Sequence, residues 1–224
     1  NREPNAAPVI SAIGDQLVNE NELLNFTVSA SDVDEEQIVT YQVSGLRVQG
    51  TEEILNAETL GINFNTSSGV FSWTPDYTQA GTYQVTFTAT DDGDPELSDS
   101  ETITITVINV NRAPVVDSTN PAGTAINVTE TETASITFQF SDPDGSIPAI
   151  TLAAGAPSFV TIQDHLNGTG TVMIQPQAAT AGTYSFTVNV SDGSLTVSRT
   201  FELSVSPKSA YSHYVCPDAP GPVR

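Results

Sequence analysis

One cysteine and two histidines are all that 224 residues contain of these types, and Lys208 is the single lysine. Cys216 alone cannot close an internal disulfide, so the fold has to stand on a packed core, helped by bound ions. Six Lys and Arg face 27 Asp and Glu, a net charge of −21. So few basic residues cannot build the patch that holds a phosphate backbone, which excludes nucleic acid as a partner. The same balance disfavours anionic membrane surfaces. No apolar run reaches about 18 residues, so no membrane insertion is expected of this segment. No signal peptide opens the chain, which predicts a mature protein or an excised piece. His165 and His213 come without a Gly-x-Ser-x-Gly turn, and carboxylate pairs are too common here to mark a glycosidase. The chain is therefore expected not to be an enzyme.

What is present is enough for a core and too much for one small sandwich. The hydrophobic fraction is 38 %, well above that of disordered chains. The length suits two domains of about 100 residues each. The chain also repeats itself. Asn5-Ala-Ala-Pro8-Val9 returns as Asn111-Arg-Ala-Pro114-Val115, and Val18-Asn-Glu20 as Val128-Thr-Glu130. Ser31-Asp32-Val-Asp34 returns as Ser141-Asp142-Pro-Asp144, Ala80-Gly-Thr-Tyr83 as Ala181-Gly-Thr-Tyr184, and Asp91 as Asp192. The offsets run from 101 to 110 residues and keep their order, and Glu20–Asp32 and Glu130–Asp142 are both 12 apart. Two homologous domains, 1–110 and 111–206, follow from this. The segment 207–224, with four prolines, reads as a Pro-rich tail that cannot continue a central strand.

The periodicity is that of strands. Tyr83-Gln-Val85-Thr-Phe87-Thr-Ala89 alternates apolar and polar residues, as do Tyr184–Val190 and Thr102–Val107. Turn clusters such as Asp91-Asp-Gly-Asp-Pro95 and Asp142-Pro-Asp-Gly145 separate the runs. No segment has a helical period. The expected fold class is all-β, two tandem antiparallel Greek-key β-sandwiches. Trp73, alternating with Phe71, is expected in the core. Tyr211 and Tyr214 read as anchors of the tail, and Cys216 as a free thiol.

The excess of acid has two readings. Acidic, lysine-poor secreted proteins stay soluble in salt-rich settings. Alternatively, carboxylates cluster to hold cations. Ca²⁺ takes six to eight oxygen ligands from carboxylates, amides and backbone carbonyls. An Asp-x-Asp pair at a strand end can aim two carboxylates at one ion. The ordered repetition of the whole acidic set favours the second reading.

These residues carry a family resemblance over about 1–206. Tyr83-x-Val85-x-Phe87-x-Ala89-x-Asp91, the Asp32-x-Asp34 pair, Glu20, Asp76 and Asn109-Val-Asn111 before Ala113-Pro114 resemble the motifs of the cadherin superfamily. The closest likeness is to bacterial cadherin-like repeats of the dystroglycan and immunoglobulin-like types. The resemblance implies Ca²⁺ as cofactor. It implies a junction site of Glu20, Asp76, Asn109, Asn111, Asp142, Asp144 and Asp192. It implies a half-site of Asp32, Asp34 and Asp91 at the free N-terminal end. Strand direction then places Asp76 at the C-terminal end of the first domain and Asp91 at its N-terminal end. The departures are Asn109 for an acid, Thr78 for a glutamate, Gln177 in the place of Asp76, and Arg112 where a ligand would be. They imply fewer and weaker ions. Asn5-Ala-Ala-Pro8 copies the linker, so a preceding repeat is expected.

The function expected from this is an extracellular, cell-surface or secreted adhesion or stalk module, stiffened by calcium at the junction. Its partners would be other cell-surface proteins, polysaccharide, or further copies of itself. The alternatives are a carbohydrate-binding accessory module of a secreted polysaccharide-degrading enzyme and a structural subunit of a surface filament.

Overall fold

The computed structural model describes residues 4–34 and 36–209. Tyr211, His213, Tyr214, Cys216 and most of the expected tail lie outside the described residues. The chain divides into two compact units, Asn1–Asn111 and Arg112–Arg224. Among the described residues there is no helix.

The first domain contains nine strands: β1 (Val9–Ile10), β2 (Gln16–Asn19), β3 (Leu24–Thr27), β4 (Ala30–Ser31), β5 (Thr40–Val48), β6 (Asn63–Phe64), β7 (Val70–Trp73), β8 (Gly81–Thr90) and β9 (Ser98–Ile108). They form a four-stranded sheet β2-β9-β8-β5, a three-stranded sheet β3-β7-β6 and the short pair β1-β4. The second domain contains eight: β10 (Val115–Asn120), β11 (Ala125–Thr129), β12 (Ala134–Ser141), β13 (Ala149–Leu152), β14 (Val160–Asp164), β15 (Thr169–Ile174), β16 (Gly182–Ser191) and β17 (Thr196–Ser206). Their sheets run β10-β12-β15-β14 and β11-β17-β16-β13.

The two plans coincide. Val9 pairs with Ser31 as Val115 pairs with Ser141. The pairs β2·β9 and β11·β17 are parallel, whereas the other pairs are antiparallel. This departs from the all-antiparallel expectation for a topological reason. After its first short strand the chain crosses to the other sheet without reversing, and so lies parallel to the domain's last strand.

Alternation places the core between the sheets. In β8, Tyr83, Val85, Phe87 and Ala89 are buried while the intervening residues are half-exposed. Phe26, Phe71 and Phe87 pack with ring centroids 4.8–5.7 Å apart, and Phe138 meets Phe201 of the facing sheet edge-on at 5.7 Å. Each such side chain taken from water stabilises by about 1.5–3 kcal/mol. Without a disulfide between the sheets, these rings are what join them. Trp73 is 1 % exposed, donates Nε1–H to the Leu60 carbonyl at 2.9 Å, and meets Tyr83 edge-on at 5.1 Å. Phe159 and Tyr184 also meet edge-on at 5.1 Å.

Two local devices hold the turns. Tyr83 and Tyr184 each donate O–H to the carbonyl four residues earlier, Gln79 and Thr180, both at 2.8 Å. This is the tyrosine corner at the entry to the penultimate strand. At the entry to β7, Gly69 has φ +70°, and a Cβ there would stand 2.1 Å from the Val28 carbonyl oxygen. No side chain fits that position.

Trp73→Ala should cost about 3–5 kcal/mol, as large aromatic truncations do. Tyr83→Phe should cost about 1 kcal/mol for one lost hydrogen bond. Urea unfolding monitored by circular dichroism checks both, and a Tyr83→Phe cost as large as that of Trp73→Ala would contradict the corner's modest share.

Candidate functional site

Acidic residues gather at the ends of both domains, where strands finish and backbone amides lose their ladder partners. A buried amide without an acceptor is costly, and so is a buried carboxylate without donors. The fold pairs the two.

At the C-terminal end of the first domain, Glu20 follows β2 and is 2 % exposed. Its Oε1 accepts from the Ala80 amide at 3.1 Å and its Oε2 from the Val110 amide at 2.8 Å. Glu130 repeats this, accepting from Ala181 at 2.7 Å and Lys208 at 3.2 Å. The amide of Lys208, and next that of Ala181, hold the Glu130 carboxyl below its ordinary value, against the opposing effect of burial. The repeated glutamate is thus a brace between three segments. Asp76 is exposed and accepts from the Thr78 hydroxyl at 2.6 Å and the Thr78 amide at 2.8 Å, which lower its pKa. Burial, and then the charges of Asp76 and Glu20, push the Tyr83 phenol up, so both acids share this end. Asn109 and Asn111 are exposed in the segment that follows β9.

At the N-terminal end, Asp32 Oδ1 accepts from the Asp34 amide at 2.9 Å, while its Oδ2 is buried with no partner. Asp34 Oδ2 accepts from the Ala6 amide at 3.0 Å. Asp91 is 3 % exposed; its Oδ1 accepts from the amides of Gly93 and Leu97, both at 3.0 Å, and its Oδ2 from Asn5 Nδ2 at 3.2 Å. Burial pushes the Asp91 carboxyl up, but the Leu97 and Gly93 amides and Asn5 together outweigh it and hold it low. Asn5 also donates to the Pro95 carbonyl at 2.8 Å and accepts from Gln37, whose own carbonyl oxygen is buried without a partner. A Cβ on Gly93 would fall 2.3 Å from Asn5 Nδ2. Asn5 and Gln37 were missing from the expected ligand set. Asn5 was legible as the first residue of the linker copy, whereas nothing near Gln37 distinguished it.

The second domain's N-terminal end is built on the same frame. Asp142 is 9 % exposed; its Oδ1 accepts from the Asp144 amide at 2.7 Å and its Oδ2 is buried with no partner. Asp144 is taken by Arg112, through the backbone amide at 2.6 Å, Nε at 2.7 Å and a terminal guanidinium nitrogen at 2.7 Å. The Arg112 amide first, and then its side chain and charge, hold the Asp144 carboxyl low, against burial and the neighbouring Asp192. Asp192 Oδ1 accepts from the Ser194 and Leu195 amides at 2.6 and 2.7 Å.

The expected acids therefore sort by end within each domain: Glu20 with Asp76, Asp32 and Asp34 with Asp91, and Asp142 and Asp144 with Asp192. Among the described residues no group of three or more His, Cys, Asp or Glu is arranged to hold a metal ion by itself. Yet the donor chemistry fits a hard cation. The ligand atoms are oxygens, and Asp32 and Asp142 each leave one buried carboxylate oxygen without a donor.

Residues 7–108 match the model of the family described as "Putative Ig domain", and residues 111–204 match that of "Bacterial Ig domain". Both domains are immunoglobulin-like. No curated protein matches the chain. Among solved structures, Drosophila N-cadherin EC1-4 is 18 % identical at a TM-score of 0.49, over 92 % of this chain and 50 % of that one. The titin domains z1z2, solved in complex with telethonin, are 16 % identical at 0.44, over 92 % of this chain and 100 % of that one. An endo-fucoidan hydrolase of glycoside hydrolase family 107 is 20 % identical at 0.35, over 90 % of this chain and 29 % of that one. At these scores the likenesses bear no weight on function. In these immunoglobulin-like domains the two Greek-key sheets are joined by aromatic rings, and the acids serve their ends.

The lowered Glu130 and Asp144 carboxyls contribute stability that is fully present above the ordinary carboxyl range of about 4. It is lost as pH falls through their lower folded values. Melting temperature should therefore drop as pH falls below about 4, and Glu130→Gln should flatten that drop while lowering stability at pH 7. An unchanged acid limb in the variant would remove Glu130 from the linkage.

Proposed function

We propose that this tandem is a non-enzymatic extracellular stalk or adhesion module, stiffened by calcium at the joint between its domains. Immunoglobulin-like sandwiches are common building blocks of cell-surface proteins. The observation that carries the reading lies in the linker. The Val110 amide is held by Glu20 and the Arg112 amide by Asp144, so only Asn111 separates two amides anchored on carboxylates of different domains.

The ion would be held by Asp142, Asp144 and Asp192 with Asn109, Asn111, Glu20 and Asp76. The free end would use Asp32, Asp34 and Asp91. Calcium, when bound, supplies the positive charge that cancels repulsion among neighbouring carboxylates. The chain's own part is to fix the oxygens beforehand. Glu20 and Asp144 are oriented by backbone amides, and Asp142 turns one oxygen inward with no donor of its own. Like charges about 4–6 Å apart repel by about 1 kcal/mol or more near a protein surface. The partner of such a stalk would be another surface protein, a polysaccharide or a further copy.

Ca²⁺ at 100 Kd should stabilise the two-domain chain by about 2.7 kcal/mol, and chelation should lower its melting temperature accordingly. Small-angle scattering should show a narrow maximum dimension with Ca²⁺ and a broad one with chelator. Asp76→Ala combined with Asp144→Ala should weaken binding in calorimetry. Identical scattering with and without Ca²⁺ would make the module a constitutive spacer.

A further inference from the structure

The two Asp-x-Asp loops share one backbone frame and differ at one side chain. In both, the first Asp accepts from the amide of the second, at 2.9 Å in Asp32 and 2.7 Å in Asp142. In both, the second Asp accepts from the amide two residues before a proline, Ala6 at 3.0 Å and Arg112 at 2.6 Å. The equivalent pairings Val9 with Ser31 and Val115 with Ser141 place Ala6 and Arg112 at the same point. Ala6 ends at a methyl group. Arg112 continues to a guanidinium that grips Asp144 Oδ1 and also donates to the Pro143 carbonyl at 2.6 Å.

We propose that Arg112 is a tethered cation on the second domain's Asp142-Pro-Asp144 loop. A divalent ion must displace it from Asp144, so this loop takes calcium more weakly than the first domain's. The inference rests on the calcium reading above and adds an order of filling to it. Arg112 covers Asp144 but leaves Asp142 Oδ2 bare, buried and without a donor. A carboxylate oxygen is acceptor-only, so only a donor or a cation can satisfy it. The loop is therefore half neutralised from within, whereas among the described residues no side-chain cation pairs with Asp32 or Asp34 of the first domain. An ion that needs both Asp142 and Asp144 has to replace a charge-assisted fork on one of them. Arginine suits the role because its charge does not titrate in the physiological range and its planar fork fits a carboxylate. Two calcium affinities follow, with the first domain's end filling before the second's. The joint would then stiffen only at the higher calcium level.

Calorimetric Ca²⁺ titration of the full chain tests this, with melting in chelator as a second readout. The wild type should show two affinity classes, the tighter lost in Asp32→Asn and the weaker in Asp142→Asn. Arg112→Ala should tighten the weaker class at least tenfold, equivalent to about 1.4 kcal/mol. In chelator it should melt lower than the wild type, with a larger rise on adding Ca²⁺. Ala6→Arg should install the fork on Asp34 and weaken the tighter class. Two classes that Arg112→Ala and Ala6→Arg leave unchanged would overturn the tethered-cation proposal while leaving calcium binding intact. Loss of the tighter class in Asp142→Asn would overturn the order of filling. No binding in the wild type or in Arg112→Ala would overturn the calcium reading and this inference together.

Discussion

Backbone amides at the ends of these sandwiches are satisfied by carboxylates. Glu20 takes Ala80 and Val110, Glu130 takes Ala181 and Lys208, Asp91 takes Gly93 and Leu97, and Asp192 takes Ser194 and Leu195. Each of these bonds ties a loop or strand end to a segment that the sheet ladders do not reach. A charged acceptor on a neutral donor makes a stronger bond than a neutral pair. The rims of both domains depend on it, and with them the directions in which the linker and the Asp-x-Asp loops set out.

This also accounts for a composition that is rich in acid and poor in lysine. The acids at these rims meet amides rather than basic side chains. The ion pair of Arg112 with Asp144 stands out among the described residues for that reason. Amide bonds fix carboxylates in place without cancelling their charge. Negative charge therefore stays concentrated at these rims, most of all where Asp32 and Asp142 each turn an oxygen inward without a donor.

The two cores reach one architecture with different rings. The ring that meets the tyrosine comes from a different place in each domain: Trp73 ends β7, whereas Phe159 precedes β14, both at a centroid distance of 5.1 Å. The tyrosine is common to both because its hydroxyl closes the corner. Its neighbour needs only to fill volume, so its identity is freer.

The alternation of Tyr83–Ala89 and Tyr184–Val190, with the turn clusters between runs, was enough to read two tandem sandwiches and to put Trp73 in the core, because side-chain period is a local property. The repeated acids could also be read as a set, since their spacing survives in the chain. Which donors they meet could not. Glu20 finds Ala80 and Val110, 60 and 90 residues away, and only the closing of β2 beside β9 brings them together. The parallel edge strands likewise depend on a crossover that no local pattern encodes. Arg112 was visible as an intruder in the linker, but its grip on Asp144 needed the fold, which carries a residue 32 positions away to the same rim. Burial decided the rest: an aspartate in a turn is ordinarily solvated, and only tertiary packing left one oxygen of Asp142 inside without a donor.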